Sequence, residues 1–145
     1  MEARPECPQS EVDRIKADQE AERAAEEERY QVRLRSLTWD QLLSETPFER
    51  WSPSPPFPSE DFTAGARRAI HDACRTLKAL GPEPRKAEVR TALNRCVEWF
   101  NEAGRRAGGV IETEEREDIC QVLVELAFVA RQRSLVDEID QWREW

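Results

Sequence analysis

From residue 60 onward the apolar positions recur at helical spacing. Phe62, Ala66, Ala69, Ala73, Leu77 and Leu80 form one stripe with Ile70 at its edge, which predicts an amphipathic helix from about Glu60 to Leu80. Ser59 is placed to cap it, and Gly81-Pro82 to stop it. Pro84 suits the first turn of a following helix, with Val89, Leu93, Cys96, Val97 and Phe100 inward and Ala92, Trp99 and Ala103 on the flank. Gly104 is expected to end it.

The stretch from Ile111 to Arg131 is apolar over most of its circumference. Ile119, Val122, Leu123, Leu126, Val129 and Ala130 share one side, and Cys120, Val124, Ala127 and Phe128 carry the arc onto a second. A narrow polar strip of Glu117, Asp118, Gln121 and Glu125 remains, so this segment is expected to be the central helix, covered on two faces. Thr113 is its expected N-cap. A last helix begins near Ser134 and aligns Leu135, Ile139 and Trp142. No segment alternates with the period of a strand. The fold class is therefore all-α, an antiparallel bundle of about four helices over residues 59–145.

The first 58 residues read differently. Residues 1–9 carry Pro5 and Pro8 and are expected to be disordered. Residues 10–36 form a charged helical arm, opened by the capping-box pattern Ser10-Glu11-Val12-Asp13 and rich in Ala, Glu and Arg. Its apolar residues make no sustained heptad, which leaves a solvated helix resting on the body or an arm ordered by a partner or a second copy. Thr38-Trp39-Asp40-Gln41 is a second capping box and starts a short helix. Five prolines between positions 47 and 58 then exclude helix and sheet and predict an extended strap. Its aromatics, Phe48, Trp51 and Phe57, would fill grooves on the bundle. The other reading is a proline-rich ligand for an aromatic-lined groove.

Charge narrows the function classes. The net charge is −8, and residues 1–36, 37–59 and 60–145 carry −3, −2 and −3. No part has the basic footprint of a nucleic-acid binder. No apolar h-region follows Met1 and no run is long enough to span a membrane, so the expected location is the cytoplasm. Cys74, Cys96 and Cys120 lie on or beside apolar stripes and read as buried, reduced thiols, and Cys7 as an exposed one.

Catalytic constellations do not assemble. His71 shares its helix face with Arg67, Arg68, Arg75 and Lys78 and reads as an exposed bystander. The segment Gly104–Gly109 lacks the strand and the Lys-Ser/Thr of a phosphate loop. Glu114, Glu115 and Asp118 are hard oxygen donors, but their spacing matches no calcium loop. No cofactor and no metal is implied.

What remains is charge asymmetry. Residues 107–125 carry −5 and residues 85–106 carry +3. Either the two segments neutralise each other, or the acids form a face for a basic protein partner. The expected partner contacts are Glu112, Glu114, Glu115 and Asp118, with Trp142 and Trp145 as aromatic anchors and Trp51 and Trp99 as further candidates. The leading expectation is a non-enzymatic protein-binding module of inhibitor or immunity type. The small acidic helical inhibitors of bacterial toxin–inhibitor pairs have this general character. The alternatives are an adaptor that forms homo-oligomers through residues 10–36 and an enzyme with a carboxylate-rich site.

Overall fold

The structure is a computed structural model and describes residues 9–52 and 58–145. The expected disorder of the first residues, the exposed Cys7 and the polyproline run at 53–57 lie outside the described residues. Six helices follow one another: α1 Gln9–Ser36, α2 Trp39–Ser44, α3 Glu60–Ala79, α4 Lys86–Arg106, α5 Thr113–Val129 and α6 Leu135–Trp142. There is no strand among the described residues. None of these helices is long and apolar enough to cross a membrane.

The chain divides into two compact units, Met1–Ser36 and Leu37–Trp145. In the first, α1 is a single rod of 28 residues, and Leu34 is its buried side chain. Pairs one turn apart run along it, among them Gln9 with Asp13 at 2.9 Å and Gln31 with Glu27 at 2.9 Å. Each such pair contributes a few tenths of a kcal/mol to a helix of high intrinsic propensity.

The second unit is a helical bundle of five helices, α2 to α6. The short α2 and the segment after it are part of this compact body. Thr38 caps α2 by accepting from the Gln41 N–H at 3.1 Å, and Ser59 caps α3 by accepting from the Phe62 N–H at 3.3 Å, as the sequence predicts. The centre of the body differs from expectation. α4 packs against α3, α5 and α6, whereas α5 packs mainly on α4 and α6. α4 buries Val89, Ala92, Leu93, Cys96, Val97, Phe100, Asn101, Ala103 and Gly104. Each large apolar side chain here contributes about 1.5–3 kcal/mol relative to exposure.

α5 is apolar over most of its circumference, but part of that apolar surface stays partly open. Ile119, Leu123, Leu126 and Ala127 are fully buried, but Val122, Val124, Phe128 and Val129 are only half-buried. Glu125, assigned to the polar strip, is instead 3% exposed. Gly104 does not end α4 either. The helix runs through it to Arg106, and Ile111 packs where a side chain would stand: a Cβ on Gly104 would lie 3.3 Å from Ile111 Cδ1.

α5 ends in a Schellman turn, with the Gln132 N–H donating to Ala127 O at 2.9 Å and the Arg131 N–H to Phe128 O at 3.0 Å. The left-handed residue of that turn is Arg131, at φ +60°, where glycine is usual. The backbone strain of an L residue there, about 1–2 kcal/mol, exceeds what glycine loses in unfolded-state entropy. Arg131→Gly should therefore stabilise the chain by about 0.5–1 kcal/mol, read as a raised denaturation midpoint at unchanged m-value.

Candidate functional site

The acids at the start of α5 have separate fates. Glu112 is the N-cap and is exposed. Thr113, the expected cap, is the first helical residue instead. Glu115 is 3% exposed, and its Oε1 accepts the Glu112 backbone N–H at 3.0 Å. It closes a capping box and is not a surface contact, which corrects the expectation for that residue.

Asp118 is held from across the chain. Arg50 donates to it twice, from Nε at 2.8 Å and Nη2 at 3.1 Å, and Trp51 Nε1 donates at 2.9 Å. Its carboxylate therefore faces an arginine of the same molecule, not open water. Hydrogen bonding to Asp118 raises the Arg50 pKa further above its ordinary value. Glu114 lies 3.9 Å from Arg50 Nη1 and is otherwise exposed. Among the described residues no group of three His, Cys, Asp or Glu side chains could hold a metal ion.

These bonds anchor the segment after α2. Phe48 sits at φ +58°, an uncommon conformation for a bulky residue. Side chains of α3 hold the surrounding backbone. Arg67 donates to Pro47 O at 2.8 Å and Phe48 O at 3.0 Å, and His71 Nε2 pairs with Glu45 O at 3.0 Å. His71, expected as a bystander, is half-buried and serves as a clamp. Phe48 and Trp51 are both buried and stack at 4.2 Å between centroids. Sequence reading missed Arg50 because 68 residues separate it from Asp118. Its one mark in the sequence is that it is the sole base among residues 37–59.

The two C-terminal tryptophans are half-buried and engaged. Trp145 packs edge-on against Phe100 at 6.1 Å, with the Arg143 guanidinium 5.4 Å over its ring. Its indole nitrogen is buried. Trp142 contributes its carbonyl, which accepts from Asn101 Nδ2 at 3.0 Å, while Asn101 Oδ1 accepts from the Glu144 N–H at 2.9 Å. Asn101 thus ties the C-terminal segment to α4. Trp145 and Ile111 share a cavity of about 200 Å³, so this anchor comes close to the α5 cap; Trp142 does not line it.

A larger concavity lies elsewhere. Between α3 and α4 runs a groove of about 480 Å³, within the size range of ligand pockets. Its floor is built of small side chains, Ala69, Ala73, Ala92 and Cys96, with Trp99 as one wall. Trp99 is seated by a glycine: a Cβ on Gly65 would lie 2.5 Å from Trp99 Cζ2. The rim is charged, with Asp72, Glu98 and Glu102 against the single base Arg95, and all four are exposed. Arg75 lies 2.9 Å from Asp72, Asn101 Nδ2 donates to Glu98 at 2.8 Å, and Arg106 lies 3.9 Å from Glu102. Each acid keeps lone pairs toward solvent. Helical spacing marked Ala69 and Ala73 as core; only the approach of α4 shows that the stripe's edge opens onto a groove.

No known protein family, curated protein or solved structure matches the chain.

Two outcomes follow for the site's chemistry. Asp118→Ala should cost about 1–3 kcal/mol, since it strands an arginine and an indole N–H, and it should red-shift tryptophan emission as Trp51 is released. Burial pushes the Cys74 and Cys96 thiols up to about 12, and Cys120 upward as well. At pH 8 a disulfide reagent should therefore modify Cys74 only as fast as the chain unfolds, and half-buried Cys120 sooner, resolved by peptide mass mapping.

Proposed function

We propose that the protein is a non-enzymatic binding module for a basic protein partner, and that its recognition surface is the groove between α3 and α4. The observation that carries the reading is the pairing of a small-residue apolar floor with a predominantly acidic rim in one cavity. Small side chains let another helix approach closely, so an amphipathic helix laid into the groove can exchange water for contact along its apolar face. Trp99, fixed against Gly65 and bordering the floor, is the natural anchor. Asp72, Glu98 and Glu102 would steer a basic helix toward the groove and reject an acidic one, an effect expressed more in association rate and selectivity than in affinity.

The start of α5 is a weaker surface than its composition suggests. Glu115 and Asp118 are engaged within the molecule, which leaves Glu112 and Glu114 as the exposed acids of the four. A cytoplasmic, inhibitor-type role is compatible with this reading. It rests on the chain's acidity and on the groove alone.

A designed helical peptide tests it, about 20 residues long, with an Ala/Leu face and Lys/Arg flanks. Added to the full chain, it should shift the amide resonances of Ala69, Ala73 and Ala92, with affinity falling as salt rises. The same peptide with Glu in place of its bases should not bind. Ala69→Trp should fill the groove and abolish the response. Shifts confined to other helices, or undiminished by Ala69→Trp, would move the surface elsewhere.

A further inference from the structure

We propose that the helix received by this groove is α1 of a second copy of the chain, with Val32 seated over the floor of Ala69, Ala73 and Cys96. The inference rests on the reading of the groove as a surface for a basic helix and names the occupant: the basic element is residues 29–36 of α1, in a chain that is acidic as a whole. Among the described residues the large apolar side chains left exposed are Ile15, at 45%, and Val32, at 49%, and both lie on α1. Val32 is two positions from the buried Leu34, about 200° around the helix axis, so it stands on the opposite face from the side chain that α1 buries.

Charge and length both match. Residues 29–36 carry Arg29, Arg33 and Arg35 and no acid, in a helix whose preceding residues 26–28 are all glutamate. This short segment is the basic part of an otherwise acidic rod. Arg29 and Arg35 lie three positions before and after Val32, one turn away on its own face; Glu28, four positions before Val32, shares that face and pairs loosely with Arg35 at 3.8 Å, both side chains being largely exposed. They flank the apolar contact as Asp72, Glu98 and Glu102 outnumber Arg95 around the groove. Arg29 to Arg35 spans about 9 Å of helix, and Ala69 to Thr76 spans about 10 Å of groove wall. Ala25, one heptad before Val32, continues the same face with a side chain small enough to follow the floor. The contact is heterologous in its parts, α1 into groove, and two copies satisfy both parts by exchanging them reciprocally.

Sedimentation equilibrium of the full chain tests the inference. The mass should move from one chain to two as concentration rises toward about 100 μM, as for a contact of modest apolar area. Val32→Glu and Ala69→Trp should each hold the mass at one chain. An equimolar mixture of the two variants should regain a two-chain species, because one intact α1 and one intact groove remain between them. Glu102→Arg, on the exposed rim, should weaken association about tenfold without touching the fold, and guards against a groove variant that misfolds. A one-chain mass throughout, or a two-chain mass unmoved by Ala69→Trp and Glu102→Arg, overturns the inference. The designed peptide separates the two failures. If the chain stays single but the peptide still binds and Ala69→Trp still blocks it, the groove stands and only its occupant is wrong. If the peptide fails too, the groove itself falls.

Discussion

Phe100 is the side chain around which the body closes. It is fully buried on α4, and three aromatic rings converge on it: Phe48 edge-on at 6.1 Å, Trp99 at 5.0 Å and Trp145 at 6.1 Å. These rings come from the segment after α2, from α4 itself and from the C-terminal segment. Phe62 of α3 extends the cluster by meeting both Trp51 and Trp99. Perpendicular ring pairs add about 0.5–1.5 kcal/mol each beyond the area they bury. Separate parts of the body therefore depend on one site being filled by a flat, rigid side chain.

Polar contacts then fix the irregular backbone that the aromatic cluster requires. A bulky residue at positive φ, such as Phe48, costs about 1–3 kcal/mol and persists only when its surroundings hold it. Arg67 and His71 take the carbonyls of Glu45, Pro47 and Phe48, while Asp118 takes Arg50 and Trp51. Elsewhere Arg90 grips Glu138 through two bonds, at 2.8 and 3.1 Å, joining α4 to α6, and Arg105 pairs with Glu144. The Arg90 contact holds the Glu138 carboxyl below its ordinary pKa, so the linkage is complete at neutral pH and is lost as acid protonates Glu138. Much of the acidity that suggests a partner is thus spent inside the molecule.

The groove follows from the same packing. α4 can lie close to α3 because the facing positions are small, and the alanines that permit that approach leave a shallow channel beside it. Trp99 fits only because Gly65 offers no side chain. The groove is therefore a by-product of how two helices of the core meet, and its rim acids belong to the solvent faces of those helices.

Local signals determined much of this protein. Thr38 and Ser59 cap their helices through their own hydroxyls, Gly81 takes φ +90° after α3, and the period of Phe62, Ala66, Ala73 and Leu77 fixes an inward face. Such features depend on neighbours within a turn or two, so the all-α class and most helix boundaries are legible in the chain alone. Tertiary contact decided the rest. Apolar content made α5 look central, but centrality is the number of faces that find partners, and α4 has three. Asp118 and Arg50 carry no mark of each other across 68 residues, and Glu115 gives no sign that its own backbone will claim it. Charge along a sequence tells how much is present; only the folded chain decides which charges are left for anything else to meet.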